Sequence, residues 1–377
     1  MSEVLDLCAD LVRAGGVGRD VERVTDCMRA YLDSKGFATE IIDCAGENGA
    51  HMPALYATIG SGGKHLLFNG HLDVVPAGDE DMWKHPPFAA QICDGLLYGR
   101  GIADMKGGVA AFASAVAELA SAGKLKGRVS LLLSTDEEEP VVNTTEKALQ
   151  ILSGRGEKFD FALVGEPSNP TELGEEIKIG RRGDVILRIT CFGTRGHTAY
   201  PHLADNPVHR LVRLLSVLIS DKLDEGNAYF GASTLQVTTF DVGNPASNVV
   251  PDKAFAQVDV RFNSEQTSRK IIERVEKHIA ETGGNFELQS EVVGESFLSP
   301  VTKDVERLKK IVAEVCGREP KYSTSGGTSD ARFVRAYCPV VEFGLTNATI
   351  HKINENETTA NIELLEKVYG KFIEEFF

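Results

Sequence analysis

Several features that would assign the protein to a special class are missing from the sequence. Only seven of its 377 residues are cysteine, and no CxxC pair occurs, which excludes a disulfide-stapled scaffold and predicts reduced thiols. No apolar run approaches the roughly 20 residues of a membrane span, because the longest one, 109–117, ends at Glu118. The acidic N-terminal segment has neither the basic nor the apolar region of a signal peptide, so we expect a cytoplasmic protein.

Basic residues are too few for a polyanion-binding protein. The chain has 40 Lys and Arg against 55 Asp and Glu, which gives a net charge of -15. This charge repels phosphate backbones and anionic lipid, so the sequence predicts neither a nucleic-acid nor a membrane partner. Hydrophobic residues make up 42% of the chain, an ordinary globular value, and its length predicts two or three domains.

The predicted secondary structure indicates an α/β class with an inserted domain. Apolar runs of strand length at 65–69 and 129–134 alternate with segments of helical periodicity such as 20–35. From Gly183 onward the order changes to β-α-β-β-α-β, a unit with its own core. Its strands are predicted at 185–191, 234–242, 254–262 and 285–293, and its helices at 206–222 and 269–279. A helix at 305–315 and a strand at 340–343 then return the chain to the first domain.

Five short stretches place His, Asp and Glu beside glycine, mostly just after apolar runs. They are FNGHLDVVP, YGRGIADMKGG, STDEEEP, VGEPSN and TIHKIN, and they contribute His71, Asp73, Asp104, Glu137, Glu138, Glu166 and His351. Each stretch alone has an ordinary explanation: an aspartate can cap a helix, an acidic run can be a solvated loop, and a lone histidine is usually structural. Taken together, an Asp shared by two cations, each also held by a His and a Glu, predicts a two-zinc hydrolase site.

The order of these motifs along nearly the whole chain resembles that of a known enzyme family. GHLDVVP, YGRGIADMKGG, STDEEE and GEPS resemble the dinuclear zinc aminoacylase and carboxypeptidase superfamily. GRRG, RGHTAYPHLADNP, GGTSDARF and EFGLTNATIHKIN resemble, within it, the succinyl-diaminopimelate desuccinylases. The resemblance implies a zinc-peptidase-like α/β catalytic domain with a mixed sheet over 1–181 and 295–377. It further implies a smaller α+β lid and dimerisation domain over 182–294, a homodimer, and a hinge near residues 181 and 294.

The resemblance also implies a role for each motif residue. One Zn²⁺ would be held by His71, Asp104 and Glu166, and a second by Asp104, Glu138 and His351, with Co²⁺ able to substitute. Glu137 would be the general base that activates water, and Asp73 would orient His71. His197 would stabilise the oxyanion in the active site of the other subunit. The Asp104–Met105 peptide bond is expected to be cis.

The implied reaction cleaves N-succinyl-LL-2,6-diaminopimelate to succinate and LL-2,6-diaminopimelate, a step of lysine and diaminopimelate biosynthesis. This small-molecule substrate carries three carboxylates, which arginine forks can bind. The expected substrate-binding residues are Arg181, Arg182, Tyr200, Asn248, Arg261, Gly327, Thr328 and Arg332. Each arginine could instead be a surface charge, and this alternative is favoured for at least one of the adjacent residues Arg181 and Arg182, because neighbouring side chains rarely share one direction. The chain departs from the family pattern at Asp184, at Ser247 and at Glu139-Pro140.

Two other interpretations stay open at this point. An acetylornithine deacetylase, or an aminoacylase or dipeptidase of the same superfamily, would use the same zinc chemistry on another substrate. A catalytically inactive metal-binding scaffold belongs to a different class, and it would not need a general base such as Glu137.

Overall fold

The computed structural model describes residues 2–46 and 49–377 and confirms a mixed α/β fold. Within these residues the helices are α1 (Glu3–Ala14), α2 (Glu22–Ser34), α3 (Gly107–Ser121), α4 (Thr144–Gly154), α5 (Pro207–Ser220), α6 (Ser268–Thr282), α7 (Lys303–Cys316), α8 (Ala331–Val334) and α9 (Thr359–Phe376). The strands are β1 (Ala38–Ala45), β2 (His51–Gly60), β3 (His65–His71), β4 (Gln91–Cys93), β5 (Leu96–Tyr98), β6 (Arg128–Ser134), β7 (Phe161–Val164), β8 (Glu176–Lys178), β9 (Gly180–Arg181), β10 (Gly183–Phe192), β11 (Gly196–His197), β12 (Thr234–Asp241), β13 (Val249–Val250), β14 (Lys253–Phe262), β15 (Asn285–Gly294), β16 (Phe297–Leu298), β17 (Lys321–Ser323), β18 (Val340–Glu342) and β19 (Asn356–Thr358).

The chain folds into two compact units. Unit 1 comprises Met1–Ile179, Ser299–Ser323 and Ser329–Phe377, and unit 2 comprises Gly180–Leu298 and Thr324–Thr328.

The unit boundaries differ from the predicted domain limits by a few residues. Arg181, which the sequence assigned to the larger domain, pairs with Phe297 as β9 and β16, so both strands belong to unit 2. The segment 324–328 also belongs to unit 2, because Thr324 donates a hydrogen bond to the carbonyl of Tyr229 and Gly327 accepts one from Arg181. These long-range contacts leave no signal in local sequence periodicity.

Unit 1 is built on a mixed eight-stranded sheet in the order β1-β2-β6-β3-β7-β18-β8-β17. The inner strands β6, β3, β7 and β18 run parallel, so their carboxyl ends meet at one edge of the sheet. β3 is buried along its whole length, which explains why its apolar residues 66–68 are consecutive rather than alternating with polar ones.

An aromatic cluster fixes the elements that carry the candidate site. Phe68 of β3 stacks on Phe112 of α3 at 4.2 Å between ring centroids, and Tyr369 of α9 meets both rings edge-on. The Tyr369 hydroxyl donates to the carbonyl of Phe343 at 2.5 Å, just after β18. The core thereby holds β3, α3 and the β18 end in fixed positions.

Unit 2 confirms the predicted β-α-β-β-α-β order, with each element within about three residues of its predicted limits. Its antiparallel sheet has the order β12-β14-β10-β15. Alternate residues of β10 and β14, such as Val185 and Val258, are buried in a core shared with α5 and α6. The intervening residues, including Asp259 and Arg261, lie on the other face of the sheet.

No helix within residues 2–46 and 49–377 combines the length and the apolar character needed to cross a membrane.

Candidate metal centre

Most of the candidate ligands lie at or after the carboxyl ends of parallel strands of unit 1. His71 ends β3, Glu138 follows β6, and Glu166 follows β7. Asp104 lies in the irregular turn Ile102–Lys106 before α3, where the Asp104–Met105 peptide bond is cis, as predicted. His351 lies in the loop after β18 with a φ of 58°, a conformation that few non-glycine residues adopt.

A first group consists of His71, Asp104 and Glu166, all of them buried. His71 Nε2 lies 3.2 Å from Asp104 Oδ1 and 3.8 Å from Glu166 Oε1. All three ligand atoms are within 4.8 Å of one another, close enough to coordinate one metal ion.

A second group consists of Asp104, Glu138 and His351. His351 Nε2 lies 3.0 Å from Glu138 Oε1 and 3.3 Å from Asp104 Oδ2. Asp104 therefore directs one carboxylate oxygen to each group, as a bridging ligand must.

The carboxylates of each group favour the charged form of the histidine beside them. Burial alone would lower the pKa of His71, but its hydrogen bond with Asp104 and the charges of Asp73, Glu166 and Asp104 raise this pKa well above 6.5. Hydrogen bonds with Asp104 and Glu138 raise the pKa of His351 to about 10. One histidine and two carboxylates in each group are nitrogen and oxygen donors that suit a divalent transition metal, so the residues fit a dinuclear metal site.

Asp73 contacts both groups, but not as the sequence suggested. His71 Nδ1 lies 2.9 Å from the backbone carbonyl of Asp73 and 3.7 Å from its carboxylate, so the backbone makes the hydrogen bond. Because β3 ends at His71, the strand spacing that would align the two side chains does not extend to Asp73. The Asp73 carboxylate instead accepts a hydrogen bond from the Glu138 amide at 2.9 Å.

The acidic residues 136–139, which follow β6, have different surroundings. Asp136 is buried, and its carboxylate accepts hydrogen bonds from the amides of Val141, Val142 and Thr144 at 2.8–3.1 Å, which fixes the loop. Glu137 is partly buried, and burial together with the charges of Asp330, Glu138 and Asp104 raises its pKa well above 4.5, partly opposed by His71. Glu139 is exposed. Glu137 and Glu139 thus neither fix the loop nor belong to a metal group, and of these two only Glu137 is partly buried.

In unit 2, the structure brings His197, Tyr200 and Asn248 together. β11, which contains His197, pairs with β13, and the Asn248 carbonyl accepts a hydrogen bond from the Thr198 amide at 3.0 Å. The ring centroids of His197 and Tyr200 lie 5.7 Å apart. His197 Nδ1 accepts a hydrogen bond from the Ala199 amide at 3.0 Å, so Nε2 carries the proton of the neutral ring.

The predicted substrate arginines occupy different surroundings. Arg181 is 5% exposed and donates from Nη1 to the Gly327 carbonyl at 3.0 Å, next to Thr328. Arg182 is half-buried beside it. Arg332 is half-buried in unit 1, where its guanidinium lies 4.5 Å from the Phe333 ring.

Arg261 is engaged by two carboxylates of unit 2. Its Nε lies 3.0 Å from Asp259 Oδ1, and its Nη2 lies 3.2 Å from Asp259 Oδ2 and 3.0 Å from Asp184 Oδ2. The Arg261 side chain remains 33% exposed.

Sequence reasoning missed three buried polar residues near the metal groups. Asp330 accepts hydrogen bonds from Ser134 at 2.9 Å and Thr145 at 2.5 Å. Arg100 and Glu355 form a buried ion pair at 2.8 Å. Arg100 lies within the YGRGIADMKGG string, four residues before Asp104, and Glu355 directly follows the TIHKIN string, four residues after His351, but only the fold shows that they meet.

Comparison with known proteins finds relatives over nearly the whole chain. A family model described as peptidase family M20/M25/M40 matches residues 67–375. The succinyl-diaminopimelate desuccinylase of Rhodospirillum centenum is 44% identical over 372 residues, which are 98% of this chain and 96% of the relative. The succinyl-diaminopimelate desuccinylase of Gluconacetobacter diazotrophicus is 45% identical over 374 residues, with the same shares covered.

Solved structures share the fold. An M20 family metallo-carboxypeptidase from Sulfolobus solfataricus superposes with a TM-score of 0.82 at 21% identity, over 99% of both chains. A dinuclear metal-binding peptidase of the M20 family from Bacillus subtilis gives a TM-score of 0.71 at 15% identity, over 99% of this chain and 97% of the other. At these identities the likeness concerns the fold alone.

Proposed function

Because the chain belongs to peptidase family M20/M25/M40, we propose that it is a hydrolase that cleaves the amide bond of N-succinyl-LL-2,6-diaminopimelate. The products are succinate and LL-2,6-diaminopimelate, in diaminopimelate and lysine biosynthesis. The observation that carries this proposal is the 44–45% identity over 98% of the chain to relatives named for that reaction. We further propose that the protein is cytoplasmic.

Two Zn²⁺ ions per subunit, replaceable by Co²⁺, are the cofactors we propose. His71, Asp104 and Glu166 would hold one ion, and Asp104, Glu138 and His351 the other, which the two groups of donor atoms within 4.8 Å support. Such ions polarise an amide carbonyl and make water more acidic.

Glu137 is the general base in this proposal. It follows β6 directly beside Glu138, yet belongs to neither group of ligands. Its carboxylate takes the proton from the attacking water and delivers it to the amine that leaves. Asp73 supports the site by accepting the Glu138 amide and, through its carbonyl, the His71 Nδ1 proton.

His197 is the oxyanion donor that the partner subunit supplies. Because its Nδ1 accepts the Ala199 amide, the ring presents Nε2–H as a donor. A donor aimed at the developing negative charge is worth about 3 kcal/mol of transition-state stabilisation.

A homodimer formed through unit 2 would bring His197 to the other subunit. Val212 and Val217 of α5 are 51% and 43% exposed, and Phe240 of the edge strand β12 is 43% exposed. An exposed apolar helix face beside an open strand edge favours association of two copies.

Arginine forks, hydroxyls and backbone groups would hold the substrate carboxylates and backbone. We propose Arg181, Arg182, Tyr200, Asn248, Arg261, Gly327, Thr328 and Arg332 for this role.

The decisive experiment compares kcat/KM of the zinc-loaded protein on N-succinyl-LL-diaminopimelate and on N-acetylornithine. Selective cleavage of the succinyl substrate is expected. Cleavage of N-acetylornithine alone would replace the proposed substrate by that of a deacetylase. Absence of hydrolysis of either substrate by the zinc-bound protein would favour a scaffold.

A further inference from the structure

Arg100 and Glu355 form an ion pair that is buried in unit 1. Arg100 is 2% exposed and Glu355 1% exposed, and the pair joins residues 255 positions apart at 2.8 Å. A buried ion pair rarely improves stability over an apolar pair of the same shape, because both ions lose their hydration. Its presence here calls for a role other than stability alone.

The Glu355 carboxylate accepts four hydrogen bonds, one from Arg100 and three from backbone amides of the turn that carries Asp104. Its Oε2 accepts from Arg100 Nη1 at 2.8 Å and from the Gly101 amide at 3.0 Å. Its Oε1 accepts from the Ala103 amide at 3.0 Å and from the Asp104 amide at 3.2 Å. A carboxylate has about four lone-pair sites, so one side chain fixes the whole turn, including the backbone of the shared ligand.

Arg100 extends the same contact to two other loops of the site. Its Nη1 donates to the carbonyl of Lys352, the residue after His351, at 3.2 Å. Its Nη2 donates to the carbonyl of Pro76, in the loop that follows His71, at 3.2 Å. The guanidinium also lies 5.2 Å from the ring of Trp83. The pair therefore joins the loops that carry His71, Asp104 and His351.

We propose that Arg100 and Glu355 are positioning residues that set the affinity of the protein for both metal ions by fixing Asp104. This inference rests on the proposed metal site, in which Asp104 is common to both groups. Loss of the contacts that fix Asp104 therefore weakens the binding of both ions. Loss of a ligand that holds a single ion weakens the binding of that ion alone.

Glu355→Gln is the sharpest variant, because it keeps the shape of the side chain. The amide offers a single oxygen, so its NH₂ group faces two of the four donors, and the charge opposite Arg100 is lost. Arg100→Lys is the second variant. It keeps a cation near Glu355 and leaves the three amide contacts intact, but it cannot bond the Pro76 and Lys352 carbonyls as a fork does.

The experiment titrates Zn²⁺ into metal-free wild type and variants by calorimetry and follows thermal unfolding of the same metal-free samples. We expect Glu355→Gln to raise both dissociation constants by about 10- to 100-fold and Arg100→Lys to raise both by less. Glu157→Gln is the matched control: it breaks the Arg128–Glu157 ion pair of 2.9 Å at the opposite end of β6, and both affinities should stay as in wild type.

Unchanged zinc affinities in both variants, or a change in one of the two affinities alone, would overturn the proposal. A lower unfolding temperature with unchanged affinities would assign the pair to fold stability. If Glu355→Gln does not fold, Arg100→Lys decides by the same criteria. Failure of the wild type to bind two ions would instead count against the proposed metal site, so the two failures are distinguishable.

Discussion

Asp184 lies directly opposite Arg261 in the antiparallel pairing of β10 and β14, and the two side chains form an ion pair at 3.0 Å. Asp259 precedes Arg261 by two residues on the same face of β14 and binds the same guanidinium. Two carboxylates and one guanidinium give this cluster a net charge of -1. A substrate carboxylate that approaches Arg261 therefore meets a weaker attraction than a lone arginine would exert.

Asp184→Asn should lower KM for the succinylated substrate. The substitution keeps the shape of the side chain but removes one negative charge. Without this charge, the partly exposed Arg261 should attract a substrate carboxylate more strongly by about 1 kcal/mol, which lowers KM roughly fivefold. Steady-state kinetics would measure KM and kcat separately, and kcat should change little.

A matched control is Glu291→Gln, which removes a carboxylate paired with Arg188 at 2.8 Å on the same sheet and should leave KM unchanged. If Asp184→Asn raises KM, Asp184 is needed to hold Arg261 in place, and the charge argument is wrong.

Glu137→Gln should keep both metal ions and lose hydrolysis. Glu137 belongs to neither group of donor atoms, so its replacement removes a base and no ligand. The expected loss in kcat is about 10²- to 10⁴-fold. Metal content by elemental analysis and turnover are measured on the same sample.

The exposed neighbour provides the comparison for this variant: Glu139→Gln should retain turnover. Wild-type-like hydrolysis by a zinc-loaded Glu137→Gln protein would remove Glu137 from the mechanism.

The sequence predicted those parts of the fold in which local pattern reflects burial. Alternation along 185–191 and 254–262 located β10 and β14 because one face of each strand is buried against helices. The sequence predicted His71 and Glu166 as candidate ligands from their places after apolar runs, and the structure puts both at the carboxyl ends of parallel strands.

The remaining features depend on contacts between distant parts of the chain. The pairing of Arg100 with Glu355 spans 255 positions, and the assignment of 324–328 to unit 2 rests on Arg181 and Tyr229. The hydrogen bond of His71 with the Asp73 backbone depends on where β3 ends. Local periodicity carries no information on any of these.

His351→Ala should weaken the binding of one metal ion and leave the binding of the other unchanged. His351 contacts Glu138 and Asp104 but is absent from the group of His71 and Glu166. Calorimetric titration of the metal-free variant with Zn²⁺ should show one affinity near that of wild type and one strongly reduced. Two unchanged affinities would contradict the assignment of His351 as a ligand.

Because of Asp221, the stability of unit 2 should decrease at low pH. Its carboxylate lies 2.5 Å from Arg274 Nε and 2.8 Å from His278 Nε2, and the hydrogen bond with Arg274, followed by that with His278, lowers its pKa from 3.8 to about 2. A pKa lower in the folded than in the unfolded state contributes stability above the unfolded value. This contribution disappears as pH falls from about 4 toward 2.

The side chain of Asp221 is 24% exposed, so solvent screening reduces the contribution to about 1–2 kcal/mol at neutral pH. Urea unfolding of wild type and Asp221→Asn should therefore show a difference of this size at pH 7 that shrinks at pH 3. Asp241→Asn, an exposed aspartate of β12, serves as the comparison and should change stability little at either pH. A difference between wild type and Asp221→Asn that is the same at both pH values would show that the Arg274 contact does not depend on the charge of Asp221.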